Sequence, residues 1–186
     1  VADRRSKPLT VHGTQAVLNI LKAHVFNWLI WPDFTEVPSA DNPFMRYQPI
    51  ELLQPVTLGG RSFTALPVDH TIPAVAYRLD SGAGSLVFSG DTGPCDAFWA
   101  SVNKIDNLRH VIIECAFPDR EAPLAVLSKH LCPTMLALEL RKLERPCDIH
   151  ITHLKPGQMD LTMAEIENRL GEFKPQMLRN NQVIEF

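Results

Sequence analysis

A chain of 186 residues with 45% apolar and 21% charged side chains can bury a core of ordinary size, which excludes a disordered chain. Its formal net charge of -3 gives no general attraction for nucleic acid. No apolar run is long enough to span a bilayer, residues 1–10 lack the apolar stretch of a signal peptide, and the four scattered cysteines form no CxxC pair; a cytoplasmic setting is expected.

In chain order, residues 14–24 carry a helical stripe of Ala16, Leu18, Leu21 and Val25, with Thr14 placed to cap it. The aromatic run over 26–32 follows, and Pro32 ends it. Residues 38–49 are polar and proline-rich and read as a loop, then 50–53 and 56–58 as short strands. Gly59-Gly60 is a hairpin signal leading into a strand over 63–68. A second hairpin joins 74–79 to 86–88. Next come a helix over 95–103, a buried strand over 111–115, and two proline-initiated helices over 123–129 and 133–143. A strand over 148–152, a helix over 162–170 with a capping box Thr162…Glu165, and a final strand over 183–186 complete the chain. The order, hairpins first and then strands alternating with helices, predicts a single α/β or α+β domain over 1–186. Its mixed sheets would be covered by helices, and loops after strand ends would converge on one rim.

That rim gathers the chemistry. The strand ending at Phe88 runs into Ser89-Gly90-Asp91-Thr92-Gly93-Pro94, which delivers one carboxylate to a sheet edge. His70, His130 and His153 each sit at or near the end of an apolar run, and neutral imidazole is a common zinc ligand. Asp91 alone could be a turn aspartate bonded to local backbone; the three imidazoles favour a metal-centred hydrolytic site. Ser89 reads as a turn residue rather than a nucleophile, and Glu114 as a carboxylate that could hold a histidine. His12, His24, His110 and His150 have ordinary structural readings, with His150 facing away from Ile149 and Ile151. The chain has no G-x-S-x-G elbow and no P-loop.

Ser89-Gly90-Asp91-Thr92, the upstream His70 and the downstream Thr152-His153-Leu154-Lys155-Pro156 resemble the metallo-β-lactamase superfamily. With the segment from Phe26 to Thr35, they look most like class II 3′,5′-cyclic-nucleotide phosphodiesterases. The resemblance implies an αββα sandwich, here without its N-terminal strands, and two divalent metal ions, expected to be zinc. His70 would bind the first metal, Asp91 would bridge both, and His153 would bind the second. His130 would stabilise charge or give a proton to the leaving oxygen. The superfamily's His-x-His-x-Asp-His motif is absent from residues 1–186. A catalytic zinc takes three protein ligands, and this chain would offer two to each ion, one of them shared. The missing ligands would lie upstream in a longer protein or on another chain, or the chain binds no metal; a start at Val1 favours a fragment.

The function implied is hydrolysis of a small phosphodiester, a cyclic nucleotide, by a metal-activated water, with no membrane or nucleic-acid partner and a homo-oligomer left open. One alternative is a hydrolase of RNA, a lactone or a thioester on the same fold. Another is an inactive binding or assembly domain, for which Trp28, Trp31 and Phe34 would form an interface; packing of these aromatics against the sheet is the preferred reading.

Overall fold

The computed structural model describes residues 7–186, and the chain divides into two compact units meeting after Gln54. In the first, β1 (Leu9–Gly13) and β2 (Met45–Pro49) pair in parallel, with α1 (Gln15–His24) between them in sequence. Gly13 closes β1 where a Cβ would come within 3.2 Å of Leu18, the buried residue of α1. Thr14 stands at the start of α1 in extended conformation, but its hydroxyl makes no capping bond. Residues 45–49 are strand rather than the expected loop. Pairing with β1 overrides the polar, proline-rich composition, and Pro49 is tolerated at the strand's last position.

The aromatic run corrects a second expectation. Asn27 Oδ1 accepts N–H bonds from Leu29 (3.0 Å) and Ile30 (3.2 Å), while Asn27 Nδ2 donates to the Ala23 carbonyl. This turn puts Trp28 at φ 66° and leaves Trp28 60% and Trp31 56% exposed, so neither indole packs on a sheet. Phe34 does pack, edge-on against Phe26 at 5.9 Å. The strand expected over 50–53 does not form, because Leu53 adopts φ 64° and breaks the extended path.

The second unit is built on a seven-stranded sheet ordered β3-β4-β5-β6-β7-β8-β9. Its strands are β3 (Pro55–Leu58), β4 (Arg61–Leu66), β5 (Ala76–Asp80), β6 (Ser85–Phe88), β7 (Leu108–Glu114), β8 (Asp148–Thr152) and β9 (Gln176–Met177). The first four form antiparallel hairpins, the last four run parallel. Gly59 and Gly60, at φ 56° and 79°, make the two-residue turn between β3 and β4 that their sequence predicts. The helices are α2 (Asp96–Val102), α3 (Ala122–Ser128), α4 (Pro133–Leu140) and α5 (Met159–Leu170). One sheet face, with Val87, Val111, Ile113, Ile149 and Ile151, packs with Phe98, Trp99, Leu136, Leu140, Ile166 and Leu170 into one buried cluster.

Two further expectations fail in this unit. α5 begins at Met159, so Thr162 lies inside its first turn and gives its hydroxyl to the Gln158 carbonyl at 2.9 Å; Glu165 accepts the Asp119 N–H instead of closing a capping box. Residues 183–186 are not a strand; the sheet ends at β9, and the tail is tied to the turn after β5 by Ser81 and to β7 by His110. No helix among the described residues is long and apolar enough to cross a membrane.

Candidate metal centre

β6, β7 and β8 run parallel, so their C-terminal ends lie on one edge of the sheet. β4 is antiparallel to β5, and β5 to β6, so β4 ends at that edge too. Side chains just past parallel strand ends are the ordinary material of sites in such sheets. Asp91 follows β6, Glu114 ends β7, His153 follows β8, and His70 lies in the loop after β4. His130 comes from the turn after α3, where Lys129 takes a left-handed conformation at φ 53°.

Asp91, Glu114, His130 and His153 each offer a ligand atom, and those atoms all lie within 4.8 Å of one another. The His70, His130 and His153 rings follow one another edge to face, with centroids 4.9 and 5.0 Å apart. His70 stands outside the tight group of four but beside it. His153 Nδ1 is 3.0 Å from Asp91 Oδ1, yet it is buried and has no hydrogen-bond partner. Two lone-pair atoms held close without a bond between them match ligands that face a common ion. The edge of a tetrahedral zinc site is roughly 3.3 Å by ordinary Zn–N and Zn–O lengths. The donor set of imidazole and carboxylate suits a divalent metal ion.

Glu114 is fully buried and its carboxylate is already occupied. Oε1 accepts the Thr92 N–H at 3.0 Å and faces His130 Nδ1 at 2.6 Å. Oε2 accepts the N–H groups of Ala116 at 3.1 Å and Leu131 at 3.2 Å. Burial pushes the Glu114 carboxyl up to about 7, against the lowering effect of the Thr92 and Leu131 N–H bonds. Burial also lowers His130, an effect that Asp91 opposes and His70 and Lys155 reinforce. With Nδ1 tied to Glu114, His130 Nε2 is the atom left for other chemistry.

The turn from Ser89 to Gly93 holds this arrangement together. Ser89, fully buried, accepts the Glu114 N–H at 3.2 Å and donates to the Gly90 carbonyl at 2.7 Å, which is a structural role. Gly90 takes φ 59°. Thr92 Oγ1 accepts the Asp69 N–H at 3.2 Å, and the Gly93 N–H donates to the Asp69 carbonyl at 2.8 Å. Lys129 completes the link: its carbonyl lies 3.1 Å from His70 Nδ1 and its Nζ pairs with Asp69 at 2.6 Å. His70 thus keeps Nε2 free. The sequence marks Thr92 as part of the turn but shows neither its contact with Asp69 nor the contacts of Lys129, because these join loops far apart in the chain. The visible signal for Glu114 is a carboxylate closing an apolar strand. His110 and His150 lie elsewhere, paired with one another at 3.2 Å on the sheet face opposite Ile149 and Ile151.

Comparison with known proteins follows the same lines. The family described as the β-lactamase superfamily domain matches residues 2–170. A Yersinia pestis protein named probable 3′,5′-cyclic-nucleotide phosphodiesterase is 28% identical over 172 residues, covering 80% of this chain and 50% of that protein. The crystal structure of unliganded yeast PDE1 superposes with a TM-score of 0.78 at 21% identity, over 95% of this chain and 59% of that one. The metallo-β-lactamase fold protein YhfI from Bacillus subtilis superposes with a TM-score of 0.70 at 17% identity, over 98% of this chain and 67% of that one. These structural likenesses show the metallo-β-lactamase fold that the sequence leads one to expect. This chain spans half the length of the Yersinia pestis relative.

Proposed function

We propose that this chain, which belongs to the β-lactamase superfamily, carries part of the catalytic centre of a metal-dependent phosphodiesterase whose substrate is a 3′,5′-cyclic nucleotide. The observation that carries the reading is the pairing of a convergent, unbonded Asp91–His153 contact with a histidine held by a buried carboxylate. In this reading His70 and Asp91 would hold one divalent ion and His153 and Asp91 a second, with zinc the ion that suits the donors. Such ions, when bound, supply an activated water and offset phosphate charge. The remaining coordination positions need donors beyond these three side chains. His130 acts at the other side of the phosphate, where Nε2 would deliver a proton to the departing oxygen while Glu114 holds Nδ1. The cyclic-nucleotide substrate is supported by the name of the Yersinia pestis relative. Four free cysteines suit a reducing, cytoplasmic setting.

The test is metal content and turnover together. Asp91→Ala should abolish binding of a metal pair, read by elemental analysis after dialysis against zinc, and with it hydrolysis of 3′,5′-cyclic AMP. His130→Ala should lower turnover by about 10²-fold or more with metal content unchanged. Normal metal content and activity in Asp91→Ala would overturn the assignment. A panel of cyclic AMP, RNA, a lactone and a thioester separates the substrates that one fold can serve.

A further inference from the structure

Lys155 is a cation placed where the site has no obvious need of one. It lies two residues past His153, on the turn that follows β8, and is half-buried. Its Nζ sits 5.1 Å from the centroid of the Phe117 ring. The same ring stands edge-on to His130 at 5.8 Å, so the ammonium and the imidazole flank one aromatic side chain. Phe117 itself is 8% exposed, which makes it a wall rather than a mobile contact.

The other lysine of the rim, Lys129, is neutralised by Asp69 at 2.6 Å. Lys155 has no such partner: among the described residues no carboxylate lies within ion-pair distance of its Nζ. A ring face attracts a cation but does not discharge it. An unpaired ammonium beside a cluster meant for metal cations raises the positive potential on that side of the site. That arrangement is useful if a substrate anion arrives there, and it is a liability if the substrate is neutral.

We propose that Lys155 is the anion-anchoring residue of this site, its ammonium leaving the Phe117 face to bind a non-bridging oxygen of a phosphodiester monoanion. The proposal rests on the reading of the site as a phosphodiesterase and sharpens it: Lys155 selects an anionic diester over a neutral ester or lactone of similar shape. His130 and Lys155 then approach the same phosphate from either side of Phe117, one for the departing oxygen and one for the resident charge.

The test uses the whole chain with zinc supplied and two inert probes: dimethyl phosphate, a monoanion, and trimethyl phosphate, its neutral counterpart. Binding is followed by titration calorimetry or phosphorus NMR. Lys155→Met keeps an apolar stem on Phe117 and removes the charge. It should weaken dimethyl phosphate about tenfold or more and leave trimethyl phosphate unchanged. Lys155→Arg should stay within about threefold of the native chain for both. The native chain's affinity for the anion should also fall more steeply with added salt than that of Lys155→Met. Equal affinity of native and Lys155→Met chains for dimethyl phosphate would overturn the proposal, as would equal losses for both probes or no binding by the native chain. Zinc content, measured on the same samples with Asp91→Ala as control, separates the two readings. If zinc depends on Asp91 while dimethyl phosphate ignores Lys155, the anchor fails and the metal centre stands. If zinc ignores Asp91, the metal centre itself fails.

Discussion

Glu114 shows how one buried charge can organise a site without touching a substrate. Four donors converge on its two oxygens, from the turn after β6, the loop after β7 and the turn after α3. Removing the carboxylate leaves those donors buried and unpaired, which costs more than the bonds themselves contribute. Glu114→Ala is expected to lower unfolding free energy by about 3 kcal/mol or more in urea titration. A loss below about 1 kcal/mol would mean that the loops hold their places without it.

His150 makes a prediction of another kind. The Glu185 carbonyl can only accept, so His110 Nε2 carries the hydrogen of their 3.3 Å bond. His110 Nδ1 then accepts from His150 Nε2, and His150 Nδ1 keeps a buried lone pair with no donor. Burial, with His110 adding to it and Asp148 opposing, holds the His150 pKa below its ordinary 6.5. The folded chain therefore binds fewer protons here than the unfolded one. This contribution to stability is complete above about 6.5 and is lost as pH falls through the lower folded value. Thermal melts from pH 7.5 to 5.5 should fall less steeply for His150→Gln than for the native chain; parallel slopes would refute this.

At the scale of elements, turns and caps are settled by groups distant in sequence. Asp119 bonds the Thr134 N–H at 2.8 Å and hydroxyl at 2.9 Å in the first turn of α4, and also pairs with Arg169 of α5 at 2.6 Å. A residue fifteen positions away thus does the work of an N-cap and clamps two helices together. Asp119→Ala should cost about 2 kcal/mol in denaturant unfolding, and Thr134→Ala less, because only one of the bonds goes. This is also why the capping box over Thr162 and Glu165 is misleading: Glu165 is engaged by the Asp119 N–H, and the helix starts a turn earlier. The Ser89–Gly93 turn is the opposite case. Its serine, glycine and threonine are the types such a turn needs, so its location was legible from composition.

At the scale of the molecule, stability is concentrated in the cluster between the parallel strands and the helices beside them. Ile113 and Leu140 are almost wholly buried there, whereas Trp28 is 60% exposed. Ile113→Ala is expected to cost about 3 kcal/mol and Trp28→Ala no more than about 0.5 kcal/mol, read as midpoint shifts in urea. A Trp28→Ala loss as large as that of Ile113→Ala would mean that its indole is covered in solution.

The sequence by itself determined the alternation of strand and helix from Ser85 to Leu170, because buried parallel strands are continuous apolar runs and a glycine or proline (Gly90, Pro118, Pro156) follows within four residues of their ends; β9 was not legible in it. It also placed Asp91 and His153 just past buried strands, which is where parallel strands deliver side chains, with His70 after another apolar run and His130 at the end of a helix. Three things waited for the tertiary structure. The β1–β2 pair forms because a partner strand supplies hydrogen bonds that proline-rich composition does not forecast. The exposure of Trp28 and Trp31 follows from a local asparagine turn that outweighs their hydrophobicity. The grip of Glu114 on His130, and the unpaired charge of Lys155 beside Phe117, depend on distances between loops far apart in the chain. Residue types are local and can be read in order; which buried donor meets which acceptor is decided only when the strands have fixed their register.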